Sequence, residues 1–446
     1  MREFLRVKEN VIIIDNYLYP RVIKVSGQEG IVYPVNSTGV QMLNQCDGTK
    51  TIEEIAHVIA RKYNVNPSMV KRDTKIFLEE KIRQGLVEKK EYSEKIEVDF
   101  RGKEDIILPY QLSVETTNQC QLRCKHCYNQ SGEKRENELT VNEIIDVLKQ
   151  YKELGGISVM LTGGEVFLKE DVTDLIDYVA NNFERVVLLT NGYQIKEEIF
   201  YKLEEHKDRL ALQISIDGVG DNHDFVRGIP GAFDRTIHNV KRFIEIGLTV
   251  SIASVLNEYN FQDIEELTKI VKTLGCRSIS IGAVAGIGRA KETDIASVDI
   301  VKSLSDIVSH VRKKYADDTF WVSENIEEYE DKNEIIEGIN VANRCGAGYK
   351  ILHLFSNGKI GICPSNGSII NKFYVNDVRK ATLYDILKYE NMRYLLDITT
   401  PSKKLCGGCG YFVECGQCIV SMLSKPAEVC SVKRKLIDEK IIGMQV

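Results

Sequence analysis

Apolar and polar positions change their period several times along this 446-residue chain, and each change marks a different kind of structure. Short β-prone runs come first: Val11-Ile-Ile-Ile14, Arg21-Val-Ile-Lys-Val25 and Ile31-Val-Tyr33. Three helical segments follow. The second opens with a capping box, Thr51-x-x-Glu54, and sets Ile55, Val58, Ile59 and Tyr63 on one face. The third opens at Asn66-Pro67, a cap with proline in the first turn, and Gly85 ends it. Three strands and three helices over residues 1–92 resemble a winged helix-turn-helix. Residues 93–107 lie in a charged stretch with little periodicity and read as a linker.

From Leu108 to about residue 320, strand and helix alternate. The strands are Leu112–Glu115, Ser158–Leu161, Val186–Leu189, Leu212–Ile216, Val250–Val255 and Ser278–Ile281. The first intervening helix opens with a second capping box, Thr140-x-x-Glu143, and stops near Gly155-Gly156. Six alternations predict an α/β fold with a parallel sheet, open or closed into a partial (β/α)6 barrel. Chemistry in parallel barrels sits at the C-terminal ends of the strands. Residues 321–446 are expected to begin with a bridging helix, carry a hairpin signal at Asn357-Gly358 between two alternating runs, and then become cysteine-rich and loop-rich.

A formal net charge of −6 argues against a general nucleic-acid binder. No apolar run is long enough for a membrane span, and the charged N-terminus does not read as a signal peptide. A cytoplasmic location is expected, where twelve cysteines do not read as disulfides. Cys46 and Cys276 stand alone and read as small buried hydrophobes. The other ten fall in two groups.

Cys120, Cys124 and Cys127 form Cys-x3-Cys-x2-Cys directly after the first barrel strand. An iron–sulfur cube normally takes four cysteines, so three leave one iron open to chemistry. Zinc is the competing reading, poorly served by this spacing. At other strand ends lie Thr162-Gly-Gly-Glu165, Thr190-Asn-Gly192, Ser215 with Asp217, and Arg227, suited to gripping a carboxylate. The Gly-rich segment Ile281–Ala290 offers close approach to a ligand.

Cysteines at this spacing, with His126 before the last and Gly163-Gly164-Glu165 beyond, resemble the radical S-adenosylmethionine family. The resemblance implies that Cys120, Cys124 and Cys127 hold a 4Fe–4S cluster whose fourth iron takes the methionyl amine and carboxylate of S-adenosylmethionine. It implies that Thr162, Gly163, Gly164 and Glu165 receive the amine, and that Asn191, Ser215, Asp217 and Arg227 complete the cofactor contacts. Cleavage of the sulfonium would give a 5′-deoxyadenosyl radical.

The second group resembles the SPASM extension of peptide maturases, although its last close pair has a two-residue gap, as in subtilosin-type enzymes. That resemblance implies two auxiliary 4Fe–4S clusters, three in all. Cys406, Cys409, Cys415 and Cys430 would hold the distal one, and Cys345, Cys363 and Cys418 the proximal one, a thiolate short. Zinc knuckles remain the alternative for this region.

Residues 1–92 resemble the unit that binds the leader of a ribosomal precursor peptide as an added strand, here beside Gly30–Tyr33 (with Ile31, Val32 and Tyr33 as contacts) and the helix Val70–Gln84. The expected activity is thioether formation between a cysteine sulfur and a carbon of that peptide, with a flavodoxin- or ferredoxin-type electron donor. Carbon–carbon crosslinking, epimerisation and side-chain oxidation by the same radical remain open, as does a non-catalytic iron–sulfur or zinc regulator of DNA.

Overall fold

The computed structural model of the chain describes residues 2–438 except 19, 27–28, 294, 325–333, 337–338, 342–344, 366–373, 394–397, 399 and 416–417. Near the N-terminus, β1 (Phe4–Val7) is followed by β2 (Val11–Asn16), β3 (Arg21–Ser26) and β4 (Glu29–Pro34). The helices α1 (Ser37–Asn44), α2 (Ile52–Lys62) and α3 (Pro67–Arg83) come next, then β5 (Val87–Lys90) and β6 (Phe100–Lys103). Both halves of the capping box form at α2: the Glu54 amide donates to Thr51 Oγ1, and the Thr51 amide donates to Glu54. Asn66 caps α3 and Pro67 follows. Tyr63 departs from the expected apolar face and is exposed. The helix stops at Lys62, so the helical phase that would bury it no longer applies. Ala56 and Ala60 fill the buried stripe with Ile55 and Ile59.

The continuous run Val11–Ile14 is buried on both faces because it serves two cores. Val11 and Ile13 pack into the core under α1–α3, while Ile12 and Ile14 join the core of the following domain. The N-terminal unit is therefore docked, and the stretch read as a linker does much of the docking. Its β6 pairs in parallel with β2, giving the sheet order β4-β3-β2-β6. Ile106, Ile107 and Leu108 are buried, and Asn16 exchanges two hydrogen bonds with the Leu108 backbone, at 2.9 and 3.0 Å. The surrounding charges mask this short buried segment in the sequence pattern.

The expected strands all form: β7 (Gln111–Glu115), β8 (Ser158–Thr162), β9 (Arg185–Thr190), β10 (Leu210–Ser215), β11 (Thr249–Leu256) and β12 (Ser278–Ala283). Between β7 and β12 run α4 (Val141–Glu153), α5 (Val172–Asn182), α6 (Glu197–Glu205), α7 (Asp221–Arg227), α8 (Ala232–Glu245) and α9 (Ile264–Leu274). After β12 come α10 (Ala290–Thr293) and α11 (Val298–Tyr315).

The parallel sheet is wider than six strands. β13 (Trp321–Glu324) adds beside β12, beyond the boundary expected near residue 320 and at the point where the bridging helix is expected to begin. A short pair, β14 (Glu334–Ile336) and β15 (Ile339–Val341), stands apart. At the other edge β16 (Ile351–Leu354) pairs in parallel with β7, and β17 (Lys359–Gly361) and β18 (Tyr374–Asp377) continue the sheet in antiparallel. The Asn357-Gly358 hairpin thus belongs to the barrel sheet and lies next to the strand that launches the cysteine trio. No helix among the described residues is long and apolar enough to cross a membrane.

Candidate active site at the mouth of the barrel

The loop after β7 carries the trio into a cavity of about 220 Å³ at the C-terminal ends of the strands. Cys120, Cys124 and Cys127 line it with Thr162, Gly163, Gly164, Asn191, Ser215, Asp217 and Arg227. Seven of the eight expected cofactor contacts are therefore brought together. Among the described residues no fourth cysteine lines the cavity. Burial pushes the Cys120 thiol up to about 12, with Glu165 adding to the rise, and also raises Cys124. Thiols so disposed become thiolates when a metal binds and expels their protons.

Glu165 is the exception. Its buried carboxylate accepts from Thr190 Oγ1 (2.7 Å), the Asn191 amide (2.9 Å) and the Phe167 amide (3.2 Å), and it does not line the cavity. Instead of facing an amine, it fixes the end of β9 and with it Asn191. The neighbouring glycine has a matching structural reason: a Cβ on Gly164 would lie 2.4 Å from the Gln119 carbonyl oxygen. Backbone bonds Gly164 N to Thr117 O and Glu165 N to Gln119 O, both 2.8 Å, zip this turn onto the cysteine loop.

Arg227 meets a carboxylate within the protein. Its Nη2 lies 2.8 Å from Asp217 Oδ2, and both side chains are buried. Burial works against the Asp217 charge, but Arg227 and His126 hold its carboxyl below the usual range. Asp217 Oδ1 accepts from the Val255 amide (2.7 Å), and His126 Nε2 stands 3.3 Å from Oδ2. Arg227 Nε and His126 Nδ1 are buried at the cavity wall without a hydrogen-bond partner among the described residues. Such orphaned atoms fit a polar ligand in the space beyond them. The three thiols, the missing fourth and these atoms together fit a cluster with S-adenosylmethionine.

Sequence reading missed the side chains that hold the loop in place. Glu115, at the end of β7, is buried and accepts from Arg135 Nη1, Asn129 Nδ2 (2.9 Å) and Ser356 Oγ (2.5 Å). Ser356 follows β16, so this hub fastens the cysteine loop to the C-terminal hairpin. Burial outweighs these donors and leaves the Glu115 pKa raised. Arg289 lines the cavity too, donating to the Cys124 carbonyl (2.9 Å) and the Ser131 carbonyl (3.0 Å). The Gly-rich segment expected to pass a ligand passes the cysteine loop: a Cβ on Gly288 (φ +57°) would lie 2.4 Å from the Cys127 carbonyl oxygen. No local motif announces Glu115 or Arg289, because their partners are far away in sequence.

The C-terminal cysteines sort into neighbourhoods. Burial pushes Cys415 up to about 12, and the charges of Cys430, Cys406 and Cys409 add to it. Cys345 is pushed up to about 11 by burial, with Cys418 as the nearby charge. Cys363 acts on Tyr128, which lines the cavity next to Cys127.

Comparisons with known proteins agree with this geometry. Residues 114–271 match the Radical SAM superfamily and residues 19–87 match coenzyme PQQ synthesis protein D (PqqD). The antilisterial bacteriocin subtilosin biosynthesis protein AlbA of Bacillus subtilis is 25% identical over 387 residues, 84% of each chain. The sporulation killing factor maturation protein SkfB of the same organism is 27% identical over 263 residues, 59% of this chain and 62% of that one. A crystal structure of Streptococcus suis SuiB bound to S-adenosylmethionine shares the fold, with a TM-score of 0.67 at 16% identity over 94% of this chain and 97% of that one. The cysteine trio and most of the cavity thus lie within the segment that matches the Radical SAM superfamily, and a PqqD-type match precedes it.

Proposed function

We propose that this enzyme matures a ribosomally made precursor peptide by joining a cysteine sulfur to a carbon. The observation that carries the reading is the trio of thiols, with no fourth lining the cavity among the described residues, set at the mouth of a barrel whose chain also presents an edge strand for a peptide. Relatives named for bacteriocin biosynthesis and killing-factor maturation support the substrate class.

Cys120, Cys124 and Cys127 would hold a 4Fe–4S cluster, and the cavity walls S-adenosylmethionine. Together these supply, when bound, a 5′-deoxyadenosyl radical able to take hydrogen from unactivated carbon. The chain's own residues orient and seal. Gly163, Gly164 and Ser215 shape the wall, Asp217 and Arg227 neutralise each other within it, and Asn191 is held by Glu165. Crosslinking removes two hydrogens from the peptide. One leaves with the nucleoside; the other leaves as a thiol proton and an electron.

Two auxiliary clusters would accept that electron, the distal on Cys406, Cys409, Cys415 and Cys430, the proximal on Cys345, Cys363 and Cys418. A flavodoxin- or ferredoxin-type donor would supply the electron that starts the reaction. The leader would add to β4, the edge strand of its sheet, where Ile31 is 58% exposed. Val32 and Tyr33 continue that strand.

The direct test is anaerobic reconstitution followed by reduction in the presence of S-adenosylmethionine. Release of 5′-deoxyadenosine and about twelve irons per chain are expected for three cubes. A protein that binds only zinc and releases no nucleoside would refute the reading.

A further inference from the structure

Nitrogen donors are aimed at every sulfur of the trio, the Leu122 amide among them at Cys120. Asn191 Nδ2 lies 3.7 Å from Cys120 Sγ, Arg227 Nη1 lies 3.7 Å from Cys124 Sγ, and the Ser131 amide lies 3.4 Å from Cys127 Sγ. The two side-chain donors are more than nine-tenths buried and come from different elements, Asn191 just after β9 and Arg227 at the end of α7. Neither is free to turn away. Arg227 is pinned by Asp217 at 2.8 Å. Asn191 Oδ1 accepts from the Tyr193 amide at 2.9 Å, while the Asn191 amide donates to Glu165 at 2.9 Å.

We infer that Asn191 and Arg227 are positioning residues for the electron: they set the reduction potential of the cluster on Cys120, Cys124 and Cys127. This rests on the reading that the trio holds a cluster. On reduction, one electron passes from a low-potential carrier to the cluster, and no bond at a cysteine sulfur is made or broken. The added negative charge spreads onto the sulfurs, so donors aimed at them stabilise the reduced form more than the oxidised one. Burial strengthens the effect by keeping water from screening it. Arg227 keeps its proton, and although Asp217 offsets part of its charge, Arg227 has the larger effect at the Cys124 sulfur. Arg227 weighs more than Asn191, because a charged donor makes roughly twice the bond of a neutral one.

The test is a potentiometric titration of the reconstituted full-length protein, followed by electron paramagnetic resonance without S-adenosylmethionine. The signal missing from Cys124→Ala protein identifies the trio's cluster. Arg227→Gln should lower its midpoint by about tenfold in the reduction equilibrium, ~59 mV for one electron. Asn191→Ala should lower it less, and Arg227→Lys should recover part of the loss. Unchanged midpoints in Arg227→Gln and Asn191→Ala proteins with full iron content would overturn the inference. So would loss of the cluster from all three variants, which would make these side chains mere supports of the loop. A wild-type chain that loads no cluster on the trio would instead refute the proposed function.

Discussion

The two cysteine groups of this chain are built on opposite principles. The trio sits on a loop that the barrel has already shaped: Glu115, Arg135, Asn129 and Ser356 tie it to the hairpin, and Arg289 ties it to the end of β12. Within the C-terminal set, Cys406, Cys415 and Cys418 sit on or beside helices of four or five residues, Lys403–Cys406, Phe412–Cys415 and Ile419–Leu423. The amides of these cysteines bond locally: Cys406 N to Ser402 O (2.7 Å), Cys415 N to Tyr411 O (2.9 Å) and Cys418 N to Cys415 O (2.8 Å). Helices this short do not hold themselves: Cys415, Ile419, Met422 and Leu423 pack into the main core, and the proposed clusters would add to that support. The first site is organised by protein; on the proposed function, the second would be organised in part by the metal it binds.

Removing one ligand from each group separates the two. Cys124→Ala should abolish nucleoside release and the trio's cluster while the remaining iron stays, as read by iron analysis and product chromatography. Cys415→Ala should leave the barrel folded but expose residues 403–438 to limited proteolysis. Equal protease resistance in both variants would erase the contrast.

Breaking the hub tests the other half of the comparison. Arg135→Met leaves Glu115 buried with one fewer donor, a loss of about 1–3 kcal/mol in denaturant unfolding. The lower part of that range is expected because the Arg135 side chain is about a third exposed (30%).

A smaller effect comes from His353 on β16, inside the same junction. It is buried against Ser113 Oγ at 2.9 Å, and burial, reinforced by Arg135, pushes its pKa down to about 3. The unfolded chain therefore takes up a proton near pH 6.5 that the folded chain refuses, so stability falls as pH falls. Between pH 6.5 and 5.5 the loss should be about 1 kcal/mol, and His353→Leu should remove it. A slope unchanged by that substitution would mean that His353 does not remain neutral in the folded protein.

Much of this was legible in the sequence because it is local. Capping boxes at Thr51 and Thr140, the six barrel strands and the trio's spacing each announce themselves within a few residues. What was not legible depends on partners far apart. β16 joins β7 across more than two hundred residues, and Glu115 finds Ser356 across 241. The charged flank of β6 concealed a docking strand. Glu165 and Arg227 were recognised as site residues, but a one-dimensional pattern could not show that each finds its principal partner inside the protein.

The most direct measurement is the mass of a cysteine-bearing precursor peptide after anaerobic incubation with the reduced, iron-loaded enzyme and S-adenosylmethionine. The account predicts a loss of about two mass units per crosslink, one 5′-deoxyadenosine for each, and a cysteine no longer open to alkylation. Nucleoside release with an unchanged peptide mass and a free thiol would contradict thioether formation.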